Sequence, residues 1–266
     1  MIALMSIFID TYKLLFGFKR TCQIEILTLN EDHDGVPVII APGFLTQDSE
    51  DWKDFIASKI DAPIIYVKWQ SSSILRMSIS TLTSIVMPAI GLLKTASYVV
   101  SIFSAWTTAA KEANLAGQEL ARFINTMWHD EDKAIFIGHS LGVRVITEAM
   151  RNLDHDNVLT SISIAGAINK DDYDARISSI RTLRNITHSN LFSTNDAILT
   201  WLYRIGEFNF VKLPIGLVTS SLENVRNYRS TTGHTEYHER IAFSNKLIQL
   251  YQEAIDSYNE SQKTLG

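Results

Sequence analysis

Ala134-Ile135-Phe136-Ile137-Gly138-His139-Ser140-Leu141-Gly142-Val143-Arg144-Val145-Ile146 is the stretch whose reading decides the fold. An apolar run of strand length, residues 134–137, meets Gly-x-Ser-x-Gly. Beyond it, Leu141, Val145, Ala149 and Leu153 recur at helical spacing. A serine between strand and helix sits on a sharp reversal. The two glycines leave room for the backbones that crowd there, so the hydroxyl is pushed out over a sheet edge. Amides at the start of the following helix then face negative charge developing on whatever that hydroxyl attacks. The bare pattern is common, but its strand–turn–helix setting makes Ser140 a candidate nucleophile. The competing reading is a glycine-flanked turn that only packs a helix on a sheet.

Outward from this stretch the chain alternates strand-like and helix-like segments. Toward the N-terminus, residues 22–29 and 36–41 read as strands, 48–60 as a helix with Trp52, Phe55, Ile56 and Ile60 on one face, and 63–69 as a strand. Residues 112–128 read as the helix that delivers the chain to the 134–137 strand. Beyond the serine come a strand at 158–165, an acid-rich loop at 166–179, a strand at 183–189 and a short helix at 197–205. A last strand at 223–227 and a final helix at 237–258 complete the series. Strands alternating with helices predict an α/β domain with a mostly parallel central sheet and helices on both faces, one domain over residues 1–266.

Two apolar segments interrupt this alternation. Residues 77–93 and 95–110 carry no charge and are separated by Lys94, yet each is too short and too rich in Ser and Thr to span a bilayer readily. Leu82, Ile85, Val86, Ala89, Ile90 and Leu93 keep helical spacing. A helical hydrophobic cap insertion over about 70–111 is expected, with extra core helices as the alternative. Residues 1–18 are strongly apolar but carry Asp10 and Lys13 and precede no small-residue cleavage site. They read either as a helix packed on the domain or as an interfacial anchor, with Tyr12, Phe16 and Phe18 leading into Lys19 and Arg20.

Composition excludes several classes. A net charge of -5 and the lack of any stretch combining clustered Lys and Arg with aromatics argue against nucleic acid as a partner. Cys22 is the single cysteine, so no disulfide framework or cysteine zinc spacing exists, which fits a reducing, cytoplasmic setting. The 7 histidines show no His-Glu-x-x-His spacing, and neither a metal nor a cofactor is expected.

A serine nucleophile needs a base and an acid to orient it, and chain order prunes both. Asp196, after the 183–189 strand, is the preferred acid; it could instead cap the 197–205 helix, and Asp171 and Asp172 are the fallbacks. Only His234 and His238 follow Asp196. His234 lies in the polar loop Ser230-Thr231-Thr232-Gly233-His234, from which an imidazole can reach back to the serine, whereas His238 falls inside the expected final helix. The earlier histidines, His139 included, are read as structural.

These segments resemble the α/β hydrolases, and within them the family typified by transmembrane and coiled-coil domain-containing protein four. The resemblance covers most of 36–240. It is carried by Ile40-Ala41-Pro42-Gly43-Phe44-Leu45, Tyr66-Val67-Lys68-Trp69 and Gly138-His139-Ser140-Leu141-Gly142-Val143-Arg144-Val145. Further on, Ser193-Thr194-Asn195-Asp196-Ala197-Ile198-Leu199 with Tyr203-Arg204, and Leu222-Glu223-Asn224-Val225 leading to Gly233-His234, add to it. The family pattern implies Ser140, Asp196 and His234 as nucleophile, acid and histidine. The fold places its oxyanion donors on the amide of Leu141 and on that of Phe44 or Leu45. The long coiled-coil and spanning segments of that family are missing here. The expected activity is hydrolysis of carboxylic esters, most of all lipid acyl esters, with peripheral membrane contact through 74–110 and 1–18. A small-ester or thioester hydrolase is the close alternative, and a non-catalytic scaffold binding a membrane or protein partner is the rival.

Overall fold

Continuous apolar runs with no polar alternation form strands buried on both faces, and the chain has three of them in succession around its centre. These are β2 (Val38–Ala41), β3 (Ile64–Trp69) and β4 (Ala134–His139); every residue of β2 and β4 is buried, as is all of β5 (Val158–Ile164). The edge strands β1 (Ile24–Leu29) and β7 (Val225–Ser230) are only partly covered. With β6 (His188–Ser193) they form a seven-stranded sheet in the order β1-β3-β2-β4-β5-β6-β7, parallel except for the β1–β3 pair. The computed structural model describes residues 24–43, 50–69, 96–182, 185–207, 212–234 and 236–265.

Helices cover both faces. Helix α1 (Glu50–Lys59) and helix α6 (Ile241–Leu265) lie on one face, where Trp52, Ile56, Phe243 and Leu247 meet Val38, Ile40, Ile135 and Ile137. On the other face pack α2 (Ala96–Met127), α3 (Gly142–Arg151), α4 (Lys170–Ser178) and α5 (Ala197–Gly206). There Leu120, Phe123, Val145, Ala149, Tyr173 and Ile198 meet Ile39, Ala134 and Phe136. Full burial of a residue such as Phe136 contributes about 2–3 kcal/mol.

The strand order reverses between β2 and β4. From β2 the chain runs through α1 outward to β3, then through α2 back across to β4, so the switch point lies at the carboxyl ends of β2 and β4. Crevices at such reversal points are where open α/β sheets bind their ligands. Strand directions, helices on both faces and the Gly-x-Ser-x-Gly turn after β4 together make this an α/β-hydrolase fold.

Several expectations change in detail. Residues 166–179 are not a loop: Asn169 caps α4 by accepting from the amides of Asp171 and Asp172, whose carboxylates suit a helix's first turn. The strand placed at 183–189 is β6, five residues later. Its central Asn190 is fully buried, which composition argues against, but its amide donates to the Val218 carbonyl and to Asn227 at 3.0 Å each. The last strand likewise runs on to Ser230, and the final helix is a 3₁₀ turn, Tyr237–Glu239, followed by α6.

The expected boundary between an apolar insertion and a helix at 112–128 is not there. Helix α2 runs unbroken from Ala96, and Trp106, Ala109 and Ala110 sit in the core, so residues 106–110 pack on the domain. Trp106 meets Tyr203 edge to face at 6.2 Å. The rest of the insertion, 70–95, and the N-terminal segment 1–18 lie outside the described residues. Among the described residues, no helix is long and apolar enough to cross a membrane.

Candidate active site

Ser140 follows the last residue of β4 and has φ of 55°, a left-handed conformation uncommon for a side-chain-bearing residue. Hydrogen bonds on both sides hold it there. Its N–H donates to the Ile164 carbonyl at 2.9 Å, and its carbonyl accepts from the amide of Ala167 at 3.0 Å and that of Val143 at 3.2 Å. Such a conformation persists only where its surroundings over-determine it, and such positions cluster at functional sites.

The flanking glycines are required by approach distances. A Cβ on Gly142 would stand 2.0 Å from the Ala41 carbonyl oxygen, because α3 begins against the end of β2. A Cβ on Gly138 would stand 2.8 Å from Val143 Cα, because α3 folds back over β4. The end of β3 is tied in as well, since the Trp69 indole N–H donates to the Pro42 carbonyl at 3.0 Å.

Three expected residues meet at this turn. His234 Nε2 lies 2.8 Å from Ser140 Oγ, and His234 Nδ1 lies 2.6 Å from Asp196 Oδ2. All three are buried, with Asp196 wholly inaccessible. An ionised carboxylate only accepts, so Nδ1 carries the proton toward Asp196 and Nε2 is free to accept from the serine hydroxyl. The two readings of Asp196 both hold: while Oδ2 faces His234, Oδ1 accepts from the Leu199 amide at 2.7 Å and caps α5. Chemically, the arrangement can lower the cost of deprotonating Ser140 and can hold the resulting imidazolium.

The fallback acids are elsewhere, in the exposed first turn of α4, and His238 sits in the 3₁₀ turn with its ring 5.9 Å from that of Trp52. The Leu141 amide meets no acceptor in the described protein and stands at the start of α3, beside Ser140. Phe44 and Leu45, the candidates for a second donor, lie outside the described residues.

Two neighbours of the site escape a reading of the sequence. His139 is buried, donates from Nε2 to the His234 carbonyl at 3.0 Å, and stacks on Trp52 with ring centroids 4.8 Å apart. Burial first, and then the neighbouring His234, hold its pKa well below the usual histidine range, so it is neutral. Arg144, in the first turn of α3, donates from Nε to the Ala167 carbonyl at 2.7 Å and pairs with Glu207, which follows α5. The Glu207 carboxylate also accepts from the Trp106 indole at 3.3 Å, so one ion pair joins the helix after Ser140 to the helix that starts on Asp196. A charged residue inside an otherwise apolar helix start was the available signal, since a buried arginine has to find a partner.

The family model described as "Protein of unknown function (DUF726)" matches residues 58–250, which include Ser140, Asp196 and His234. No curated protein matches the chain in sequence. Among solved structures, the esterase PE8 superposes with a TM-score of 0.50 at 13% identity, covering 88% of this chain and 99% of that one. Alpha/beta hydrolase domain-containing protein 10 from mouse gives 0.47 at 12% identity, over 90% of this chain and 96% of that one. The acyl-protein thioesterase 2 of Zea mays gives 0.47 at 10% identity, over 88% and 99%. Likeness at such identities is likeness of fold. The chain thus has the α/β-hydrolase fold and belongs to the family of proteins of unknown function designated DUF726.

Proposed function

We propose that the protein is a serine hydrolase of carboxylic esters, acting through an acyl-enzyme on Ser140. The observation that carries this is the continuous chain Ser140–His234–Asp196, at 2.8 and 2.6 Å, on a serine held at positive φ. In the proposed reaction Ser140 Oγ attacks the ester carbonyl as its proton passes to His234 Nε2, and Asp196 stabilises the imidazolium. The Leu141 amide, with Phe44 as its partner, binds the oxyanion. Collapse expels the alcohol with the proton from His234 and leaves the acyl group on Ser140. Water, deprotonated by His234, then attacks the acyl carbonyl, releasing the acid and restoring the serine. The esterase and thioesterase names among the structural neighbours agree with this chemistry.

Within that class we favour lipid acyl esters and peripheral membrane contact, and kinship with the transmembrane and coiled-coil domain-containing protein four family. Charge-free composition supports the lipid preference, since residues 77–93 and 95–110 hold no Asp, Glu, Lys or Arg. Connectivity supports it too: Ile24 and Trp69 are register partners, so the described chain enters β1 and leaves β3 at the edge that carries Ser140. The test is turnover of short soluble esters against long-chain esters in vesicles, with Ser140→Ala as control, alongside flotation of the protein with those vesicles. Preference for the vesicle substrate with flotation is expected. Turnover of short esters alone would leave a soluble esterase, and no turnover of any ester would remove the proposal.

A further inference from the structure

We infer that His139 is a positioning residue for the histidine of the triad: its imidazole fixes the height of the His234 backbone above the Ser140 turn through the Nε2–H to His234 carbonyl bond. This rests on the serine-hydrolase reading of the site. Strand alternation explains why residue 139 can do it. Ile135, Ile137 and His139 point to the same face of β4, where Trp52 of α1 and Tyr237 lie, whereas Gly138 points to the face covered by α3. His139 therefore stands beneath the loop that carries His234, while the next residue turns the nucleophile outward.

The bond defines the tautomer. A carbonyl cannot donate, so His139 carries its proton on Nε2. The ring is held between Trp52, at 4.8 Å and 28°, and the His234 ring, at 5.1 Å and 38°. The groups facing it are His234, His238 and Tyr237, with Asp196 behind His234. The other backbone and hydroxyl hydrogen bonds among the described residues of this loop are local: Ser230 Oγ with Thr232, and the Glu236 amide to the Gly233 carbonyl. Among the described residues, the His139 bond is the one that ties the backbone of this loop, across 95 residues, to the strand leading to the serine. Without it, His234 Nδ1 keeps its partner Asp196, but Nε2 loses its fixed distance to Ser140 Oγ.

Two substitutions separate the bond from the ring. His139→Phe keeps a stacked aromatic and removes the donor, while His139→Gln removes the ring and places an N–H at nearly the reach of Nε2. In the full chain, His139→Phe should lower kcat and the rate of fluorophosphonate labelling by about 10–100-fold with KM little changed, the cost of misplacing a reacting group by a fraction of an ångström to an ångström. His139→Gln should recover most of that loss. Labelling of His139→Phe at the wild-type rate, or a His139→Gln variant as impaired as His139→Phe, would overturn the inference. An unlabelled wild-type protein would instead overturn the serine-hydrolase reading itself. The wild-type protein provides a check free of any folding defect: nitrogen-15 spectra should show His139 as the neutral Nε2–H tautomer, and the Nδ1–H tautomer would contradict the assignment.

Discussion

At the scale of single residues, Ser140, Asp196 and His234 were legible because chain order and loop context left few candidates, and the structure brings those three side chains together. What could not be read was that Asp196 serves two partners at once. That makes its variants informative. Asp196→Asn retains an oxygen for the Leu199 amide but no longer holds the required histidine tautomer, so turnover should fall by about 10²–10⁴ with stability nearly unchanged. Asp196→Ala should in addition cost about 1 kcal/mol through loss of the cap. Equal melting temperatures for the two variants would contradict the dual role. The positive φ of Ser140 predicts a second comparison: Ser140→Gly should be more stable than Ser140→Ala by about 1 kcal/mol in urea unfolding, because glycine pays nothing to adopt that conformation.

Elements were legible where the pattern was purely apolar. Strands β2, β3 and β4 fall where their hydrophobic runs place them, to within about two residues, the usual uncertainty of element ends. Strand β6 was misplaced because its residues include the buried His188, Ser189 and Asn190, and periodicity does not reveal that His188 Nδ1 bonds Ser161 or that the Asn190 amide bonds Val218 and Asn227. Helix α4 was hidden for the opposite reason, since an acid-rich segment reads as a loop until Asn169 is seen to cap it. The junction of β2 and α3 gives the prediction proper to this scale. Gly142→Ala puts a methyl 2.0 Å from the Ala41 carbonyl oxygen, so either the strand or the helix has to move. A loss of about 3 kcal/mol or more in urea unfolding is expected, at the upper end of overpacking costs, together with loss of ester turnover. A variant as stable as wild type would show that α3 can slide away from β2 freely.

For the molecule as a whole, stability should depend on pH through a residue remote from the triad. His188 on β6 is buried against Ser161 Oγ at 2.8 Å, and burial pushes its pKa from 6.5 down to about 4. The unfolded chain therefore binds a proton below pH 6.5 that the folded chain refuses until about pH 4, so stability is lost as pH falls through that window. From this one group the loss between pH 7 and pH 5 is about 2 kcal/mol, with His139 adding in the same direction. In His188→Asn, which keeps a polar atom toward Ser161, the difference in urea stability between those two pH values should shrink by about that amount; an unchanged difference would remove His188 as the cause. The central claim concerns the nucleophile, and covalent labelling of the intact protein by a fluorophosphonate, mapped by mass spectrometry of its peptides, tests it most directly. The account predicts a single adduct on Ser140 that is abolished in Ser140→Ala and in His234→Ala but retained in His238→Ala; an adduct on another residue, or none, would contradict it.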